Sequence, residues 1–384
     1  MNILHTSDWH IGKRLMDAER LPEQIAALDE IAEICEAENV DVVLVAGDVF
    51  DTYLPSAEAE EAFFRAVKKI AGGKRAVVVI AGNHDDAVRL AASAPIAREE
   101  GIYLFGNKPT VFPTGGDLPV RVAVSGENYL VLENRAGEKV YINALAYPNE
   151  ARLREEKTDE DFGAKTARWI EKGNEGYDGT MPYILLSHLF VAGGLTSEGE
   201  RNIDLGGARA VPASRLPQYG YVALGHLHKK QRIGNRIAYS GSILQYSFDE
   251  SDTEKSVILL KTGLTEISAF KEIPLMSGKK LVRLQACGVE DAIRLISGYQ
   301  DCFVELTLHL TAPLTAAETT ALRAANRGLV SLIPRVDSYI SEEVAVRSNM
   351  TAEELFREYY TLQFGGEAPD DLTAAFLSLL LEEA

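Results

Sequence analysis

Five apolar stretches of this sequence run straight into an acid, an asparagine or a histidine, and that recurrence restricts the fold more than any other feature. They are "NILHTSDWH" (2–10), "VDVVLVAGD" (40–48), "RAVVVIAGNHD" (75–85), "PYILLSH" (182–188) and "YVALGHLH" (221–228). Continuous aliphatic runs of this length read as strands buried on both faces, which need helices to cover them. Two such helices follow from the spacing: Pro22–Ala37, through Ile25, Leu28, Ile31, Ala32 and Ile34, and Ala57–Ile70. Between 120 and 150 the pattern turns hairpin-like, with a turn at Ala136–Gly137 in "ENRAGEKVYI". "RIAYSGS" and "KSVILLK" supply further strands. The chain reads as an α/β sandwich with antiparallel additions.

In α/β sheets, ligands gather beyond the carboxyl ends of the strands. There this chain places Asp8 and His10, Asp48 and Asp51, Asn83 and His84, His188, and His226 with His228. Were the last pair on a strand, residues i and i+2 would face the same way and reach one centre together. Imidazole with carboxylate and no thiolate suits Mn²⁺, Fe²⁺ or Zn²⁺. So many candidate ligands exceed the needs of one ion and suit two. Two ions ~3.5–4 Å apart clamp an in-line attack on phosphorus. Asp48, in the middle of the set, is the expected bridge. A lone histidine on a strand is more often a satisfied core or surface residue, and His5 and His309 are assigned to that class.

Charge bears on the substrate. The net charge is −18. It is uneven: residues 275–340 carry 7 Lys and Arg against 6 acids (+1), residues 341–384 carry 2 against 10 (−8), and the remainder is −11. Tight binding to nucleic acid draws mostly on Lys and Arg neutralising phosphates, so a chain this acidic needs metal ions or a partner to hold it. The three cysteines form no CxxC pair, which argues against a thiolate zinc site and a disulfide framework. The N-terminus "MNILHTSD" offers no signal-peptide pattern, and no apolar run is long enough to span a bilayer. A cytoplasmic location, without membrane contact, is expected.

The order DxH, GDxxD, GNHD, H, GHxH over residues 5–230 resembles the calcineurin-like metallophosphoesterases. Within them, "MNILHTSDWHIGK", "GDVFDTYLPS", "GNHD" and "ALGHLHKKQ" are similar to the SbcD-type DNA nuclease subunits of bacteria. Archaeal and eukaryotic relatives commonly carry histidine where this chain has Asp51, and Lys230 stands where proline is expected. The resemblance implies a four-layer α/β/β/α sandwich over 1–274, a small α/β capping domain that binds DNA over 275–340, and a C-terminal helix-loop-helix over 341–384. It implies two divalent ions, Mn²⁺ favoured: Asp8, His10, Asp48 and His228 hold the first, and Asp48, Asn83, His188 and His226 the second. His84 then faces the scissile phosphate as a catalytic residue. Asp51, three residues after the bridge, can hydrogen-bond His84, hold its tautomer and raise its pKa.

The implied activity is a 3′→5′ double-strand exonuclease and single-strand or hairpin endonuclease in DNA repair, recombination and replication. It works as a homodimer with an SbcC-like coiled-coil ATPase at DNA ends and hairpins. Lys13, Arg14, Lys229 and Lys230 flank the motifs where a phosphate backbone would run, although each reads equally as a solvated surface residue. Leu355, Phe356, Tyr359 and Tyr360, then Leu372, Phe376, Leu379 and Leu380, form apolar stripes suited to docking in a groove of the ATPase; two helices folded back on their own core are the plainer alternative. Two rivals remain at this level: a nucleotide or other small-molecule phosphodiesterase of the same superfamily, and a scaffold with a relic site, which the complete ligand set argues against.

Overall fold

The computed structural model describes residues 1–153, 159–198, 200, 209–336, 350–364 and 366–382, with main chain only at 362–364 and 378–382. Two sheets stack face to face. The first has six strands in the order Ile267–Pro274, Ser256–Thr262, Asn2–Thr6, Val42–Ala46, Ala76–Ile80, Ile102–Phe105. Its last four strands are parallel, and the other two join antiparallel at one edge. The second has seven, in the order Gln231–Ile233, Ile237–Tyr239, Tyr221–Gly225, Tyr183–His188, Lys139–Leu145, Tyr129–Asn134, Val120–Gly126. The strands at 139–145, 183–188, 221–225 and 237–239 run parallel within it.

Burial explains the layering. Alternate residues of the central strands point to opposite faces, so VVLVA and AVVVI are buried throughout. Ile3, Leu44, Val78, Leu132, Ile142 and Ile184 fill the space between the sheets. Leu4, Val43 and Val77 face the other way, onto the helices Leu21–Ala37 and Ala57–Ala71. The first helix buries Gln24, Ala27, Leu28, Ile31, Ala32 and Cys35, one stripe at helical spacing. The second starts at Ser56, whose side chain accepts from the Ala59 amide, and stops at Gly72 in the left-handed region. On the outer face of the second sheet lies Phe162–Lys172, burying Trp169 and Ile170. Helix, sheet, sheet and helix make the four layers expected. The sequence pattern did not reveal that last helix, nor the strands Ile102–Phe105 and Ile267–Pro274. No helix among the described residues is long and apolar enough to cross a membrane.

The chain divides into two compact units. One comprises Met1–Arg283 with Tyr299–Glu305 and Gly328–Ser331; the other comprises Leu284–Gly298, Leu306–Arg327 and Leu332–Ala384. A third sheet, in the order Lys280–Cys287, Cys302–Leu310, Leu329–Val336, accounts for the late strands. The second unit holds the helices Val289–Ile296 and Ala316–Ala325, the latter opened by a reciprocal Thr315–Glu318 capping box. Thr351 and Glu354 cap Ala352–Phe364 in the same way. That helix and Asp370–Glu382 form a hairpin in which Phe356 stacks on Phe376 at 4.3 Å. The two apolar stripes are therefore not wholly free for a partner. Phe356 and Phe376 are used against each other, whereas Leu355, Tyr359 and Leu372 stay exposed. The side chains of Leu379 and Leu380, and the whole of residues 341–349, lie outside what is described.

Candidate metal centre

All five chemistry-bearing segments end at the same rim of the sandwich, three from the first sheet and two from the second. Two small residues make the approach possible. A Cβ on Gly82 would stand 2.1 Å from Asp48 Oδ1, and one on Gly47 would stand 2.4 Å from His188 Nδ1. Gly82→Ala should therefore cost about 3 kcal/mol, the upper end of overpacking penalties, and abolish cation binding. A wild-type melting temperature with wild-type Mn²⁺ affinity would refute that geometry. The ligand loops themselves are tightly wound: Asp8, His10, Asp48 and His226 all have positive φ (52°, 44°, 49° and 103°). Non-glycine residues avoid that region, and they are held there at functional sites by their surroundings.

The strand Tyr221–Gly225 stops before the two histidines, so the i, i+2 argument for a shared face does not apply. His226 and His228 go separate ways. His228 Nε2 lies 3.0 Å from His10 Nε2, while His226 Nδ1 lies 3.1 Å from Asn83 Oδ1. Asn83 Oδ1 is also 2.8 Å from His188 Nε2. Asp48 Oδ2 stands between the clusters, 3.7 Å from His10 Nε2 and 3.3 Å from His188 Nε2. Ligand atoms of Asp8, His10 and His228 lie within 4.8 Å of one another, as do those of Asp8, Asp48 and His188, and those of His10, Asp48 and His84.

The donor set fits a divalent cation on chemical grounds. His188 Nδ1–H donates to the Ala46 carbonyl (2.8 Å), which turns the lone pair of Nε2 toward Asp48 and Asn83. His228 Nδ1–H likewise donates to Glu250 (3.2 Å), which turns its Nε2 toward His10. Lone pairs facing each other across about 3 Å in a buried site call for a shared proton or a cation between them. The electrostatics agree. Burial lowers His10 and His226 to about 3, leaving both as neutral donors. Burial alone would raise Asp48, but His188, His84 and His10 overcome it and hold its carboxyl well below the usual range. Burial would lower His188, yet Asp48 and then Asp8 bring it up to about 9, so a proton on Nε2 facing Asp48 is what a cation would displace. Burial raises Asp8 to about 6, against the pull of His188 and His228.

His84 sits in this rim with its amide donating to Asp48 Oδ1 (2.9 Å) and its ring edge-on to His10 at 4.7 Å. The expected Asp51–His84 contact takes a different form. His84 Nδ1 donates to the main-chain carbonyl of Asp51 at 2.7 Å. The Asp51 carboxylate is 3.8 Å from His84 and turns instead to Lys13 Nζ (2.7 Å) and His10 Nδ1 (3.3 Å). The Lys13 ammonium, a full charge within reach, attracts the carboxylate more strongly than the His84 ring does. Asp85 has a structural task, accepting from the amides of Val49, Phe50 and Gly82 and so tying two ligand loops together. His5 is a core residue, as expected: Tyr221 hydroxyl donates to its Nδ1 and its Nε2–H reaches the Leu224 carbonyl.

Each of the four basic side chains considered for DNA has an acid of its own. Lys13 pairs with Asp51 (2.7 Å), Arg14 with Glu19 (2.7 Å), Lys229 with Asp249 (3.0 Å) and Lys230 with Glu272 (3.0 Å). A phosphate at any of them has to displace a carboxylate. Four further residues stand at the site without any signal in the sequence pattern. Arg152 donates to the carbonyls of Gly82, Asn83 and Asp85 and to the Tyr53 hydroxyl, clamping the loop that carries His84. Tyr147 lies edge-on to His188 at 6.1 Å. Glu250 and Lys255 are buried behind His228. No local motif marks any of them.

Residues 1–230 match a family model described as calcineurin-like phosphoesterase. The chain is 36% identical over 397 residues to the SbcD component of nuclease SbcCD from Bacillus subtilis (strain 168), covering 99% of this chain and 97% of that protein. It is 36% identical over 361 residues to the same component of nuclease SbcCD from Rhodobacter capsulatus, covering 86% and 85%. A crystal structure of a dimetal phosphatase from Danio rerio covers 72% of this chain and 99% of its own, at 12% identity and a TM-score of 0.41.

Proposed function

This chain belongs to the calcineurin-like phosphoesterases and, within them, to the SbcD-type nucleases, and from that premise we propose that it is the two-metal DNA nuclease of an SbcC–SbcD-like complex. One observation carries the reading: two clusters of lone-pair donors converge with Asp48 Oδ2 between them and His84 at their edge. In this reading Asp8, His10, Asp48 and His228 hold one divalent ion and Asp48, Asn83, His188 and His226 the other, with Mn²⁺ the favoured metal. Bound there, the ions supply Lewis-acid activation of a water and of the phosphoryl oxygens.

The chain's own residues do the rest. His84, fixed through Nδ1 by the Asp51 carbonyl, presents its other ring nitrogen to the scissile phosphate and, in its doubly protonated form, gives the Nε2 proton to the leaving oxygen. Asp51 keeps the Lys13 ammonium and the His10 ring in place. Arg152 holds the Asn83–His84 loop at its three carbonyls. We assign residues 1–274 to the nuclease domain, 275–340 to a capping domain that grips DNA, and 341–384 to docking on the ATPase, through Leu355, Tyr359 and Leu372 on the exposed side of the hairpin. Activity on double-strand ends (3′→5′) and on hairpins, a homodimeric state, a cytoplasmic location and a task in DNA repair, recombination and replication complete the proposal.

The ion-paired state of Lys13, Arg14, Lys229 and Lys230, in a chain of net charge −18, favours a second reading: a small-molecule phosphodiesterase. The purified chain with Mn²⁺ is to be assayed on end-labelled hairpin DNA and on bis-p-nitrophenyl phosphate, with and without EDTA. DNA cleavage that EDTA abolishes and Mn²⁺ restores is the expected result. Turnover of the ester with DNA left intact, even after the SbcC-like ATPase is added, would replace the nuclease reading with the second one.

A further inference from the structure

We propose that Glu250 is a positioning residue of the metal centre, selecting the tautomer of His228 that turns the Nε2 lone pair toward the cation site. The inference rests on the two-metal reading above. His228 is pinned at every other polar atom. Its amide donates to Glu200 (2.8 Å), its carbonyl accepts from Lys255 Nζ (2.9 Å) and from the Ser242 amide (3.1 Å), and Nδ1 meets Glu250 Oε1 (3.2 Å). Glu250 is fully buried, and its other oxygen binds Lys255 Nζ at 2.5 Å. A carboxylate can only accept, so Nδ1 carries a proton, and the neutral ring of His228 has its lone pair on Nε2. Outer partners of this kind orient metal-binding imidazoles and typically change metal affinity 10- to 100-fold.

Lys255 makes the test sharp, because an ammonium can only donate. In Glu250→Gln the amide oxygen must face Lys255, which leaves the NH₂ facing His228 Nδ1. Nδ1 then has to accept, and the proton moves to Nε2, into the space next to His10. An isosteric change should thus harm the site more than truncation does. Glu250→Ala leaves the tautomer unforced, and in Glu250→Gln/Lys255→Met the amide is released to turn its oxygen back toward His228. That double change also removes both members of the buried pair, an exchange such pairs commonly tolerate.

Mn²⁺ titration calorimetry on the full chain, with ¹⁵N imidazole spectra of the metal-free protein, decides the matter. The expected result is two sites in the wild type and one site weakened 10- to 100-fold in Glu250→Gln. The weakening should be smaller in Glu250→Ala and partly reversed in the double variant. The His228 spectrum should move from the Nδ1–H to the Nε2–H form in Glu250→Gln. A merely structural role predicts the opposite order, with Ala worse than Gln, and no dependence on Lys255. Two undiminished sites in Glu250→Gln, or an unchanged tautomer, would overturn the role of Glu250 alone. Absence of Mn²⁺ binding by the wild type would overturn the metal reading, and this role with it.

Discussion

Asp48→Asn should eliminate hydrolysis, with a loss of more than about 10³-fold, well beyond the 10- to 100-fold typical of an outer partner. The reason lies in which oxygen does what. Asp48 Oδ1 accepts the His84 amide, so the asparagine oxygen takes that place and its NH₂ takes the place of Oδ2. Oδ2 is the atom between His10 and His188. Two hydrogens would then point at the position where a bridging carboxylate has to present electron pairs. Calorimetry with Mn²⁺ should show both sites weakened together, because in the proposed arrangement both draw on that oxygen. A variant that kept two wild-type affinities would remove Asp48 from the bridge.

His84→Ala should reduce cleavage by about 10² to 10⁴-fold, the usual worth of a positioned acid or base, and leave two Mn²⁺ ions bound. Its side chain contacts the Asp51 carbonyl, whereas its contact with the bridging acid is made by the main-chain amide and survives the substitution. The ring also lies within ligand distance of His10 and Asp48, so the stoichiometry is informative. Loss of one Mn²⁺ per chain in the variant would make His84 a ligand and cancel its assignment to the phosphate.

The strand ends were legible because a buried parallel strand has a distinctive composition and because ligands must lie at its carboxyl end. Aliphatic runs in "VVLVA" and "AVVVI" point to strands covered on both faces. What escaped was whatever depends on residues far apart in the chain. Glu250 lies in "SFDESDTEK", a stretch that reads as a solvated loop, and only the packing of Ser242, Lys255 and His228 around it makes it a buried carboxylate. Arg152 looks like one more surface arginine until the loop at 82–85 is folded against it. The HxH pair misled for a related reason: its spacing is strand-like, but the strand ends at Gly225 and His226 adopts a φ of 103°. The Asp51 side chain chose Lys13, a competitor that spacing alone does not weigh. The helix Phe162–Lys172 has an amphipathic pattern that is masked by the strand and turn signals around it.

The rim draws on both sheets. Asp8, His10, Asp48 and Asn83 follow strands of the first sheet, whereas His188, His226 and His228 follow strands of the second. Neither donor cluster is complete within one half of the sandwich. During synthesis the first sheet's contribution is made within the first 84 residues, yet His228 emerges almost 150 residues later. A nascent chain, or one whose sheets have parted under heat or denaturant, therefore carries the acids of the site without the means to cut. Hydrolytic ability therefore requires both sheets to be formed and joined, and it is lost as soon as they part.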